Sequence, residues 1–266
     1  MNTFQLYFRL IQISLLSRMQ YRANFIVGLL GLIVWNVVNL GLIGVLVTQF
    51  TSLKDWTLWE LVFLYCLWIL GHSLYALFFS HTNQMEDYLI EGTFDQFLLR
   101  PASPLIQVLG REFQYVEIAD ALFALTGISL AYAQLGLHWD VWRWGFFVTA
   151  VISGAVIVFA LNLLIACTAF WTGRSRGASF VARQFYSLVQ WYPIDIFGKA
   201  FRVIVTGIIP VAFMNYYPAL LLLNKLDRAN SGWWLSYLTP VVALILVGIV
   251  SGVWRLALRQ YTSSGS

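Results

Sequence analysis

The sequence predicts an all-α membrane protein with six transmembrane helices. It adds an N-terminal amphipathic interfacial helix, a short cytoplasmic helix between spans 2 and 3, and a Pro-broken re-entrant hairpin before span 6. Three observations predict this. Of the 266 residues, 60% are hydrophobic and only 11% are charged, against about a quarter charged in a soluble domain. The mean hydropathy is +0.74. Uncharged stretches of about twenty residues, enough at 1.5 Å rise to cross a hydrocarbon core, recur between short polar clusters rich in Arg, Asp, Glu, Pro and Gly.

The opening segment, 1–22, is expected to lie in the membrane interface. Phe4, Phe8, Ile11 and Leu15 recur at helical spacing among Gln5, Arg9, Gln12 and Arg18. No signal-peptide cleavage pattern follows it. Residues 25–50 carry no charge and form the first span, with Asn36 and Asn39 its strongly polar members. After Lys54 and Asp55 the second span covers 56–80, with Glu60 near its outer end and His72 in its body. Spans 114–137 and 144–171 flank a connection holding His138, Asp140 and Arg143. Trp139, Trp142 and Trp144 beside them suit an interfacial belt. The fifth span is placed at 177–197 and the last at 233–254.

Between these two, residues 199–223 are apolar but interrupted by Pro210 and Pro218. Counting them as a crossing gives seven spans and puts Arg255 and Arg259 outside. Counting them as a re-entrant outer hairpin gives six, with both termini in the cytoplasm. The positive-inside rule favours six: 10 of the 16 basic residues, all arginine, then face the cytoplasm, and the three lysines fall outside.

Composition also limits chemistry. Cys66 and Cys167 lie in apolar stretches without metal-ligand or disulfide spacing, and no metal site is expected. The net charge of +4 is scattered at span ends, which fits membrane anchoring better than nucleic acid. No phosphate-binding P-loop occurs, since the cluster Gly173-Arg174-Ser175-Arg176-Gly177 lacks the lysine and a preceding strand. No catalytic residue is assigned. An intramembrane enzyme would have to draw on His72, His81, Glu117 and Asp120, which form no nucleophile or metal motif, and a passive channel is a further alternative.

The informative segment is the loop 84–101. Thr93 with Gln96 is a capping-box pattern ahead of Phe97-Leu98-Leu99, and Pro101 stops the short helix it starts. Ser103-Pro104 is expected to open the helix that becomes span 3. Phe94, Phe97 and Leu98 then serve as apolar anchors, with Glu91, Asp95 and Arg100 as orienting charges, for docking on a soluble partner or lying on lipid.

The run Ile90-Glu91-Gly92-Thr93-Phe94-Asp95-Gln96-Phe97-Leu98-Leu99-Arg100-Pro101 resembles the loop of permease subunits of type-two ABC exporters, in particular their bacterial drug- and viologen-exporter-like branch. Tyr192-Pro193, Ile209-Pro210 and Asn215-Tyr216-Tyr217-Pro218-Ala219 resemble that branch's penultimate region. The resemblance implies a permease of the bacterial inner membrane that works as a dimer, with a second copy or a paralogue, on a separately encoded ABC ATPase that holds ATP and Mg. It makes 84–101 the coupling loop, with Glu86, Asp87, Ile90, Glu91, Gly92, Thr93, Phe94, Asp95, Phe97, Leu98, Leu99, Arg100 and Pro101 facing the ATPase. It makes 1–22 the connecting helix and 199–223 the outer hairpin. The alternative is an ABC permease for lipid, polysaccharide or cofactor cargo.

Polar residues in apolar surroundings mark candidates for the pathway or its gate. Glu117 and Asp120 open span 3 one turn apart, to attract a cation or move protons, or else to sit solvated or paired with Arg111 at the interface. His72 and Asn162 read as interhelical hydrogen-bonders. Asp195 and Arg202 flank the hairpin as a possible gate, together with Pro210 and Pro218 within it.

Overall fold

A computed structural model describes residues 12, 22–49, 56–111 and 113–261. The expected amphipathic start, apart from Gln12 and Arg22, and the Lys54-Asp55 turn lie outside the described residues. Within them the chain is helical and forms no sheet. The long helices are α1 (Arg22–Gln49), α2 (Leu58–Phe79), α6 (Glu117–Gln134), α7 (Val141–Cys167), α9 (Arg176–Trp191) and α12 (Thr239–Gln260). Short helices fill the connections: α3 (Met85–Ile90), α4 (Phe94–Leu98), α5 (Pro104–Leu109), α8 (Ala169–Thr172), α10 (Lys199–Val203) and α11 (Tyr216–Leu222).

Four stretches among the described residues are long and apolar enough to cross a membrane: Ile26–Val45, Leu58–Ile90, Val141–Thr172 and Thr239–Gln260. Helix α2 is the core. Its residues from Glu60 to Gly71 are all buried, as expected for a helix that is apolar all round and enclosed by neighbours. Helix α6 packs closely on it because its facing stripe is small: Ala124, Gly127 and Ala131 are buried. A Cβ on Gly127 would come within 2.4 Å of the Cys66 sulfur, so only glycine admits that approach.

Helices α6 and α9 are less apolar than the other four, yet they share the same two ends of the bundle. Helix α9 starts beside Glu86, past the end of α2, and leads to Asp195, which touches Trp56 before the start of α2. Ala182, Tyr186 and Val189, at helical spacing, are its buried stripe. The connection from α6 to α7 is tied to the second end, where Trp139 is buried edge-on against Phe63 and donates Nε1 to the Leu222 carbonyl at 3.0 Å. Trp139 therefore packs inside, while Trp142 and Trp144 stay exposed. Asp140 caps α7, its Oδ1 accepting the Arg143 N–H at 3.1 Å.

Residues 196–227 form a hairpin that leaves and rejoins the bundle at one end, because Asp195 and Arg228 lie 3.5 Å apart. Its two halves, Lys199–Ile208 and Val211–Leu222, meet at 80°. Pro210 sits at that break, where its ring and missing N–H prevent a continuous helix. Pro218 does not interrupt the chain as expected. It occupies the first turn of α11, where the missing N–H has no helical partner to lose. Met214, near the bend, rests on Gly71 and Gly154, both about midway along their helices.

Candidate functional site

The loop between α2 and α6 is built on an aromatic knot. Gly92, at φ 68°, takes the left-handed conformation that lets α3 reverse into α4 without a Cβ clash. Thr93 is therefore already helical, and its hydroxyl donates to the Tyr88 carbonyl at 3.4 Å. The capping box expected at Thr93 is not made. Its reciprocal half appears instead at α2, where Glu60 Oε2 accepts the Thr57 N–H at 2.8 Å.

Phe94 is fully buried, its ring edge-on to Phe170 at 5.3 Å and Tyr261 at 5.0 Å, and within 6.4 Å of Trp254. Phe97 is buried against Tyr88 and Phe94. The Tyr261 hydroxyl donates to Asp95 Oδ1 at 2.8 Å. Gln107 of α5 clasps the end of α4, donating to the carbonyls of Phe97 at 2.8 Å and Ala102 at 2.9 Å. Helix α5 itself ends at Gly110 and does not run on into α6, since glycine is a poor helix continuer. The Arg111 guanidinium lies over the Tyr88 and Phe97 rings at 4.8 and 5.9 Å.

These contacts sort the predicted coupling residues. Phe94 and Phe97 face inward as the knot, which moves the apolar anchors away from them. Ile90, Glu91, Leu98, Leu99, Arg100 and Pro101 are exposed, Leu99 at 85%. Asp87, Gly92, Thr93 and Asp95 are half-buried. A cleft of about 230 Å³ beside the exposed rim is lined by Leu89, Ile90, Ala169, Phe170, Gly173 and Tyr261. Glu86 also faces inward. Its Oε2 accepts the backbone N–H groups of Ser175 at 2.5 Å and Arg176 at 2.7 Å, at the first turn of α9, and Asp87 pairs with the Arg176 side chain. Sequence spacing held no signal for this joint, because its partners are about ninety residues apart.

A second polar group lies in the bundle interior. Asn36 of α1 donates Nδ2 to Asp120 Oδ1 at 2.7 Å and accepts the Tyr65 hydroxyl of α2 on Oδ1 at 2.9 Å. Asp120 thus pairs with Asn36, and Arg111 is occupied by the aromatic rings. Glu117 Oε2 is buried without a hydrogen-bond partner among the described residues. Asn162 bonds the Val158 carbonyl of its own helix rather than a neighbouring one, and the His72 ring rests edge-on against Tyr75 of its own helix.

The expected gate pair Asp195 and Arg202 is not formed. Asp195 Oδ2 accepts the Trp56 indole N–H at 3.2 Å and pairs with Arg228, while the Arg202 Nε is buried without a hydrogen-bond partner among the described residues. Beside them Lys225 Nζ meets Glu60 Oε2 at 2.6 Å. Lys225 and Arg228 both lie over the Trp56 ring, at 5.1 and 5.3 Å. Among the described residues no group of His, Cys, Asp and Glu could hold a metal.

Apolar helices of membrane-crossing length, joined at one end by a loop with an exposed rim, define a multi-pass membrane protein. Residues 33–265 match the family model described as "ABC-2 family transporter protein". The chain belongs to that family and is a permease, the membrane subunit of an ABC transporter. No curated protein and no solved structure matches it.

Proposed function

We propose that this permease serves an ATP-driven exporter of the bacterial inner membrane, and that the exposed rim of its loop docks on a separate ABC ATPase that binds ATP and Mg. The observation that supports this is the division of the loop into an inward knot and an outward rim. Phe94 and Phe97 fix the backbone, and Ile90, Glu91, Leu98, Leu99 and Arg100 offer apolar anchors flanked by charges of both signs. Rigid presentation lowers the ordering cost of binding. In this reading α1, α2, α6, α7, α9 and α12 are six crossings with both termini in the cytoplasm, and the hairpin is re-entrant from the outer side. Two such subunits enclose the pathway, into which Glu117 and Asp120 supply half-buried acceptors.

Co-purification in mild detergent tests the docking. The native chain retains the ATPase. A triple Leu98→Ala, Leu99→Ala, Arg100→Ala variant still inserts and loses the ATPase by about a hundredfold in affinity, as removal of two or more hot-spot side chains does. Undiminished retention by the triple variant places the docking surface elsewhere. Phe94→Ala is the contrasting control, destabilising the permease itself by about 3 kcal/mol.

A further inference from the structure

We infer that Glu86 is the positioning residue that hands movement of the loop to α9, and that α9 acts as a rod carrying it to the outer hairpin. This rests on the reading that the loop docks an ATPase.

Three observations carry it. The joint at the loop end is double: Glu86 Oε2 holds the backbone N–H groups of Ser175 and Arg176 and lies 3.3 Å from the Ser175 hydroxyl, while Asp87 holds the Arg176 side chain. A carboxylate on the first N–H groups of a helix engages both their unpaired hydrogens and the positive end of the helix dipole. Glu86 is 6% exposed, so water does not replace these bonds cheaply when the joint is stressed.

The rod between is continuous. Helix α9 runs 16 residues without an internal proline or break, which is about 24 Å. Its far end is also fastened. The buried Asn215 amide, at the start of α11, donates to the Val189 carbonyl in the last turn of α9 at 2.9 Å. Asp195, four residues past the helix, binds Trp56 and Arg228. The second limb of the hairpin is thus held by the last turn of α9 through Asn215, and the hairpin's base by Asp195 just past that helix. A displacement of α3 is passed to α9 through hydrogen bonds and reaches the hairpin without crossing a flexible segment.

The test uses the full chain with its ATPase in lipid nanodiscs and a reporter cysteine, Leu221→Cys, in the buried face of α11. Native Cys66 and Cys167 are fully buried and add little background. The readout is the rate of maleimide labelling with Mg-ATP and vanadate divided by the rate without them. A reporter chain with Glu86 intact shows a response of about tenfold, within the range over which coupling residues act. Glu86→Met keeps side-chain length but has no acceptor, and is expected to retain the ATPase and bring the response to about one. Glu86→Gln still accepts both N–H groups and restores most of it, which a loss of packing alone would not do. A native-sized response in Glu86→Met overturns the inference while leaving the docking reading intact. No response in the reporter chain with ATPase bound also overturns it. Failure of that chain to retain any ATPase removes the docking reading and this inference together. Where Glu86→Met does not insert, the double change Asp87→Asn, Arg176→Gln, at a half-buried and an exposed position, weakens the same joint from its more open side. About a threefold reduced response then supports the rod, and an unchanged one overturns it.

Discussion

Tyr261 shows how a single residue closes the loop onto the rest of the chain. It follows the last turn of α12, stacks edge-on against Phe94 and donates to Asp95. Burial first, then the neighbouring Asp95 carboxylate, raises its phenol from 10.0 to about 12. The sign follows from linkage. The folded state holds this proton more tightly than the unfolded chain, so the stabilisation is complete below about pH 10 and is lost as pH rises through about 12. Absorbance titration of the native protein minus Tyr261→Phe isolates this phenol. A difference curve with its midpoint near 12 is expected, and a midpoint near 10 would mean that the hydroxyl faces water. Much of this residue-level detail was not legible in the sequence. A five-residue helix is too short for its periodicity to say which side is inward, and the partners that bury Phe94 lie some 75 to 170 residues further along.

At the scale of elements, the end of the bundle remote from the loop is held by charges that the sequence scatters over about 170 positions. Glu60 both takes the Thr57 N–H and pairs with Lys225, whose side chain is 19% exposed against 10% for Glu60. Partly buried ion pairs of this kind are costly to break and cheap to replace. Glu60→Gln therefore lowers stability by about 2 kcal/mol by taking the carboxylate charge from its bond to Lys225 Nζ, whereas Glu60→Leu with Lys225→Met falls within about 1 kcal/mol of the native protein. Thermal unfolding in detergent of the two singles and the double measures this coupling. Additive losses would show that the pair is solvated. The flanking charges Asp195 and Arg202 read in sequence as a pair across the hairpin, because they bracket its start. The hairpin's return brings Arg228 to Asp195 instead, and no local pattern announces a contact made by a chain that doubles back at Pro210.

For the whole molecule, the sequence is most informative where apolarity is unbroken and least where a helix trades apolar surface for function. Helices α1, α2, α7 and α12 are evident as charge-poor runs. Helices α6 and α9 fall at the spans read over 114–137 and 177–197 but stand out less, since one begins with Glu117 and Asp120 and the other carries Arg176 and Arg183 in its first half. Their role in the bundle is fixed by what holds their ends. The start of α9 is tied to the loop through Glu86, and the chain just past it is tied to Trp56 and Arg228 at the opposite end. If those ends face opposite sides of a bilayer, the arginines of α9 sit near the cytoplasmic boundary and Lys199 near the outer one, and long basic side chains reach water from either level. Single cysteines at the exposed positions Arg174→Cys and Lys199→Cys decide the matter in intact cells. An impermeant maleimide is expected to label the second and to reach the first only after the membrane is opened. Labelling of both from the same side would mean that α9 does not cross, which would reduce the crossings to five and place the two termini on opposite faces.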